Sequence, residues 1–181
     1  MAEKKQQKLK QILLDLNSQD SKKISKAIKA LEAHGDASVI KPLAKRLLDG
    51  VSNKNQEEII ELLSSLKDTS TCVEIIDVLD DEQYRPIRQL ILTAIWNTKV
   101  DFSDYIDDFI EIAVEGNLLE ALDCLTIIEN LEGPFMEENI LESLLHLKNY
   151  SESDKPKDDQ KAHILSEIAI VIRDIDQNLM D

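Results

Sequence analysis

The chain has 181 residues, including four glycines and four prolines, and a formal net charge of −15. Glycine and proline together reach only about a third of their usual share, which excludes collagen-like chains and argues against a fold rich in tight β-turns. Apolar residues make up 43% of the chain, so a buried core can form. The two cysteines, Cys72 and Cys124, are too few for a disulfide scaffold.

The charge is unevenly distributed. Residues 1–50 contain 11 Lys and Arg against 6 Asp and Glu, whereas residues 51–181 contain 10 against 30. Solvated helix surfaces account for this pattern, and a basic docking end or head-to-tail association is the functional alternative. The N-terminal stretch lacks the features of a secretory signal, and the most apolar run, 164–172, is too short for a membrane span. We expect a cytoplasmic protein that binds neither membranes nor nucleic acid.

The apolar residues recur with helical periodicity along nearly the whole chain. The pattern predicts an N-terminal helix within 1–18, four helical hairpins at 19–50, 51–82, 83–116 and 117–150, a loop at 151–157 and a C-terminal helix within 158–181. Pro42 would lie one turn into its helix, which indicates a later helix start or a slight bend.

The hairpins share one period. The last apolar residues of their first helices follow one another at steps of 35, 29 and 36: Leu31, Leu66, Ile95 and Leu131. The matching residues of the second helices follow at steps of 31, 35 and 33: Leu48, Leu79, Val114 and Leu147. Both series have a mean period of 33. They predict a single all-α domain over 1–181, an α-α superhelix in the form of a short right-handed α-solenoid of about four hairpins with a helix at each end. An irregular helical bundle is the alternative.

Two segments carry a family signature. Residues 33–49 pass a Gly-Asp turn and enter a helix that reads apolar-x-Pro-Leu and ends at an Asp, and this segment resembles a HEAT-type repeat. Residues 80–88 are similar to the junction between repeats of that family, with Arg88 matching its arginine and Asp80 or Asp81 its acidic neighbour. The resemblance covers about 20–150 and implies an α-solenoid that binds macromolecules, usually proteins. HEAT, armadillo and TPR classes stay open, and TPR ranks last because its Trp, Gly and Tyr pattern is absent.

The spacing of the reactive residue types indicates no catalytic site. The closest glycines are 15 residues apart, which excludes a phosphate-binding loop, and no Cys or His pair has the spacing of a zinc site. We therefore expect no catalytic residue, cofactor or metal. We interpret Cys124 as a buried small residue. Cys72 lies at the start of a predicted helix and could be a reactive thiol.

An acidic cluster is the candidate site. Asp104, Asp108, Glu111 and Glu115 are spaced at i, i+4, i+7 and i+11, with Asp107 beside them. A solvated helix face is the plain interpretation, and a surface for a partner or a cation is the functional one, because like charges at this spacing repel. If the second helices line the concave side of a solenoid, the groove runs from basic to acidic. The predicted partner-binding residues are Lys41, Lys45, Asp77, Asp104, Asp107, Asp108, Glu111 and Glu142.

Two apolar features concern packing. Trp96 is predicted to lie in the core between repeats, with an exposed anchor for a partner as the alternative. The last helix carries an apolar band wider than one helix face, running from Ile164 to Ile175. Such a helix is buried on two sides, either by its own chain or by a second copy, so a homodimer through the C-terminal helix is one expectation.

These observations favour a non-catalytic scaffold or interaction module that binds a basic protein through an acidic solenoid face. The first alternative is an enzyme on a HEAT-like frame, acting on DNA bases or as a lyase on protein-bound chromophores. The second is a structural subunit of a larger assembly.

Overall fold

The computed structural model describes residues 2–34, 36–154 and 158–180. Over these ranges the chain forms ten α-helices and no β-strand, which confirms the all-α prediction. The helices are α1 (Ala2–Leu16), α2 (Ser21–His34), α3 (Ile40–Leu48), α4 (Asn53–Ser64), α5 (Ser70–Asp80), α6 (Arg88–Trp96), α7 (Ile106–Glu115), α8 (Leu118–Ile128), α9 (Glu137–Glu152) and α10 (Asp159–Met180).

Short 3₁₀ helices precede three of the α-helices. They are Ala37–Val39 before α3, Glu82–Ile87 before α6 and Ser103–Tyr105 before α7. The side chain of Asp36 caps the first by accepting a hydrogen bond from the backbone N–H of Ser38. Because α3 begins only at Ile40, Pro42 lies in its first turn, where a backbone N–H would have no partner within the helix in any case. The late helix start predicted from Pro42 is confirmed. Gly35 of the predicted Gly-Asp turn lies outside the described residues.

The chain divides into two compact units, Met1–Val100 and Asp101–Asp181. The boundary falls inside the predicted hairpin 83–116, so that α6 belongs to the first unit and α7 to the second. The single domain over 1–181 stays a prediction.

In the first unit, α1 packs on α2, and the later helices contact the helix two positions further along the chain. The α2 helix contacts α4, α4 contacts α6, and α3 packs against α5. Each helix buries the apolar stripe that its periodicity predicts. The residues with the least exposure are Leu16, Leu43, Ile59, Leu79 and Leu92.

A buried asparagine connects α2 to α4. Asn55 is fully buried, and its Nδ2 donates to the carbonyl of Ser21 (3.2 Å) and the hydroxyl of Ser25 (3.0 Å). Its Oδ1 accepts a hydrogen bond from the hydroxyl of Ser21 at 2.7 Å. Because every one of these bonds crosses between the helices, they fix how far α4 can slide along α2.

The segment between α5 and α6 is built around Arg88. This side chain is 4% exposed, and its Nε donates to the carbonyl of Leu79 at 3.1 Å, near the end of α5. The neighbouring Asp81 side chain accepts a hydrogen bond from the backbone N–H of Gln83 and so caps the 3₁₀ helix. Arg88 is the first residue of α6, so this hydrogen bond connects the start of α6 to the end of α5.

In the second unit, α7 packs against α8 and α9, and α10 packs against the same two helices. Phe102 and Phe109 are buried edge to face, with ring centroids 5.9 Å apart. Contact with both α8 and α9 accounts for most of the wide apolar band of α10, in which Leu165 and Ile168 are buried while Ile170 stays half-exposed.

A lysine of α10 holds the end of α7. Lys161 Nζ donates to the carbonyls of Val114 and Gly116, both at 2.6 Å, and lies 5.6 Å from the ring centroid of Tyr150. Partial burial lowers the pKa of Lys161, and neighbouring carboxylates such as Glu120 counteract this. A cation at the carboxyl end of a helix also complements its dipole.

The α2–α4 contact predicts the effect of replacing Asn55. Asn55→Ala removes the three hydrogen bonds that this fully buried side chain makes to α2, so we expect the free energy of unfolding to fall by about 1–3 kcal/mol. Urea unfolding followed by circular dichroism measures the loss. The control is Asn53→Ala in the same helix, where the side chain is exposed. Equal stability of the two variants would contradict the bridging role of Asn55.

The capping of α7 predicts the effect of replacing Lys161. Lys161→Met keeps the length of the side chain but removes both hydrogen bonds, and we expect a loss of about 1–3 kcal/mol in the free energy of unfolding. The matched control is Lys148→Met, because the Lys148 side chain is exposed and its nearest carboxylate oxygen, on Glu152, is 4.0 Å away. Equal midpoints of thermal unfolding in the two variants would show that Lys161 does not stabilise the end of α7.

Candidate functional site

In the first unit, each predicted site residue pairs with a side chain of opposite charge. Lys41 Nζ on α3 lies 2.8 Å from Asp77 Oδ2 and 3.4 Å from Glu74 Oε2 on α5. The hydrogen bond to Asp77 is the main cause that raises the pKa of Lys41. Lys45 pairs instead with Asp49 of the turn that ends its own helix. The carboxylates of α5 are therefore partly neutralised before any partner arrives.

In the second unit, the packing of α7 against α9 brings two acidic rows together. Asn139 Nδ2 on α9 donates to the backbone carbonyl of Asp104 at 2.7 Å. Asp104 lies in the 3₁₀ helix before α7, so α7 itself begins after Asp104 and carries Asp107, Asp108 and Glu111.

We call the carboxylates of this surface the acidic face. They lie at the start of and along α7, and on the neighbouring α9: Asp104, Asp107, Asp108, Glu111, Glu138 and Glu142. In the part of the chain that the structure describes, no Lys or Arg nitrogen lies within 4 Å of the carboxylates of Asp104, Glu111, Glu138 or Glu142. Their charge is thus balanced by solvent ions and is available to a cationic partner.

Asp107 is one of the less exposed carboxylates of the acidic face. It is half-buried, and this burial is the main cause that raises its pKa above the usual value for aspartate. The negative charge of Glu142 on α9 raises the pKa further, whereas His146 and the backbone N–H groups of Asp107 and Asp108 lower it. Sequence reasoning missed His146, which becomes a neighbour only through the packing of α9.

Leucines of α9 border the acidic face. Leu141 is 55% exposed and Leu145 is 49% exposed, one turn apart on the outer side of the helix. Glu138 and Glu142 flank them in the same helix. The 3.6-residue spacing could have indicated this strip, because Ile140, Ser143 and Leu147 already supply the buried stripe of α9.

Trp96 departs from its prediction. It is 45% exposed, so the prediction of a core position is wrong, and the alternative of an anchor for a partner stays open. As the last residue of α6 it lies about 40° beyond Leu92, at the edge of the buried stripe. Cys72, considered as a reactive thiol, is 2% exposed, and Cys124 is fully buried as predicted.

No family model, curated protein or solved structure matches this chain. Within the described ranges, no group of three or more His, Cys, Asp and Glu side chains is placed to hold a metal ion. In the same ranges, none of the helices has an apolar stretch long enough to cross a membrane.

The raised pKa of Asp107 predicts a pH dependence of stability. A carboxyl whose folded pKa exceeds its unfolded value stabilises the fold while protonated, and this contribution is lost as the pH rises through the folded pKa. Asp107→Asn removes that loss. We expect the free energy of unfolding of the variant, relative to that of the wild type, to increase as the pH rises from about 4 to about 7. Urea unfolding at both pH values measures it, with the exposed Asp154→Asn as control. A difference independent of pH would contradict the effect of burial on Asp107.

Proposed function

We propose that this chain is a non-catalytic HEAT-like repeat module that binds a basic protein partner through the acidic face of α7 and α9. The observation that carries the proposal is the contrast between the two units. Lys41 partly neutralises Glu74 and Asp77 on α5, whereas Asp104, Glu111, Glu138 and Glu142 have no Lys or Arg nitrogen within 4 Å among the described residues.

Several observations support the repeat architecture. The 33-residue period of the sequence coincides with helices that contact the helix two positions along, as in α2 with α4, α3 with α5, and α7 with α9. Stacked hairpins produce this alternation, because their first helices form one layer and their second helices another. We accordingly propose a short right-handed solenoid whose second helices, α7 and α9 among them, present the binding surface.

The recognition step is electrostatic. Like charges held on adjacent helices raise the local negative potential, which attracts Lys- and Arg-rich surfaces and speeds their encounter. Each carboxylate then accepts a charge-assisted hydrogen bond from the partner. A cation docked beside Asp107 would also offset the repulsion that Glu142 exerts on it. The proposal involves no catalytic step, and the cytoplasmic location stays a prediction.

Neutralising the acidic face tests the proposal. Asp104→Asn, Asp108→Asn and Glu111→Gln are combined in one variant, and the probe is a synthetic Lys- and Arg-rich peptide followed by fluorescence anisotropy. We expect the variant to bind at least about tenfold more weakly than the wild type, and wild-type binding to weaken between about 50 and 300 mM salt as charges are screened. The bond from Asn139 survives, because it uses the backbone of Asp104.

The matched control removes the same number of charges from exposed positions of the first unit, as Glu32→Gln, Glu57→Gln and Glu61→Gln. Equal affinity of both triple variants would mean that net charge alone attracts the peptide, and the proposed site would be wrong. Capture from a native lysate with the wild type and both variants then identifies the partner as the protein lost only with the acidic-face variant.

A further inference from the structure

A second surface of the same unit lies on α9 and α10, beside the leucines. A groove of about 520 Å³ runs between the two helices, with Leu144, Leu147, Leu165 and Ala169 among its apolar lining. Its lining includes two cationic side chains, Lys148 and Arg173, and no carboxylate. In a chain with 36 acidic and 21 basic residues, this local reversal of charge marks the groove as distinct from the acidic face.

The outer surface of α9 therefore changes character from one side to the other. At 100° per residue, the order around the helix is Leu144, Lys148, Leu141, Leu145, Glu138 and Glu142, over about 160°. We call Lys148 with Arg173 the cationic edge, Leu141 with Leu145 the leucine strip, and Glu138 with Glu142 the glutamate edge. The cationic edge borders α10, and the glutamate edge borders α7.

The charges of both edges are open to a partner. Lys148 Nζ has Glu152 Oε1 at 4.0 Å, an exposed pair that contributes little. Arg173 has no carboxylate oxygen within 4 Å in residues 2–34, 36–154 and 158–180, and the same ranges offer Glu138 and Glu142 no Lys or Arg nitrogen within that distance. A matching surface must place carboxylates over Lys148 and Arg173, cations over the glutamates, and apolar groups between them.

We propose that the occupant of this surface is a second copy of the chain, in a two-fold dimer with the two α9 helices parallel. A two-fold axis that runs along α9 turns the glutamate edge of one copy onto the cationic edge of the other, and leucine strip meets leucine strip. An axis across α9 would instead place like charges together. The striped surface is thus its own complement, which is what a closed two-fold interface requires.

The size of the surface sets the expected strength. The 16 residues of α9 span about 24 Å, and two helices side by side are about 20 Å wide, which gives roughly 500 Å² per copy. Stable interfaces bury about 800 Å² per partner. We therefore expect a weak, reversible dimer with a dissociation constant in the micromolar range.

Sedimentation equilibrium of the full chain tests the dimer from about 1 to 200 µM, a range that brackets the expected constant. Leu141→Ser with Leu145→Ser should weaken dimerisation at least about tenfold, because the apolar centre carries most of the binding. The matched control is Leu119→Ser with Leu122→Ser on α8, where the leucines are 52% and 44% exposed, and it should leave the constant unchanged. Circular dichroism confirms that all variants keep their helices. A wild type that is monomeric throughout, or equal losses in both pairs, overturns the proposal.

Charge reversal tests whether the charged edges pair across the interface. One variant carries Glu138→Lys and Glu142→Lys, so both of its edges are positive, and the other carries Lys148→Glu and Arg173→Glu, so both are negative. Each alone should be monomeric, and an equimolar mixture should form a heterodimer, because opposite edges then face each other. A mixture that stays monomeric overturns the proposed pairing of the two edges. These experiments measure self-association without peptide, and the peptide-binding variant at Asp104, Asp108 and Glu111 leaves both edges of α9 intact, so the two proposals can fail separately.

Discussion

The packing of α9 between α7 and α10 is the contact on which both proposed surfaces depend. On one flank, Asn139 bonds the backbone of Asp104 and the charges of Glu142 and His146 reach Asp107. On the other flank, α9 and α10 form an apolar groove with a cationic border. One helix therefore separates two surfaces of opposite charge, and its exposed leucines lie between them. A rotation of α9 about its axis would remove both surfaces at once.

Short helices impose a second constraint, because each end leaves backbone groups without intrahelical partners. The fold satisfies several of these with long side chains from other helices. Arg88 bonds the carbonyl of Leu79 near the end of α5, and Lys161 bonds two carbonyls at the end of α7. Such bonds connect elements that are distant in sequence, so each one also selects a single arrangement of its helices.

Local features were predictable from the sequence. The helix positions and the late start of α3 at Pro42 follow from periodicity and from the missing N–H of proline, both of which act within one or two turns. The differences from prediction also have local causes. Asp104 falls in a 3₁₀ turn that precedes α7, and Trp96 lies at the edge of the buried stripe of α6. The acidic cluster was predictable from the sequence, but the side chains that surround it in the fold were not.

The sequence by itself determined an all-α chain, the approximate extent of its helices, and which side of each helix is apolar, because these properties depend on residues within a few positions of one another. Only the tertiary structure decided which polar side chains meet. Lys41 and Asp77 are 36 residues apart, and Asp104 and Asn139 are 35 residues apart. Their contacts depend on how neighbouring helices are rotated and shifted. Those variables follow from the packing of whole stripes, and no short segment specifies them.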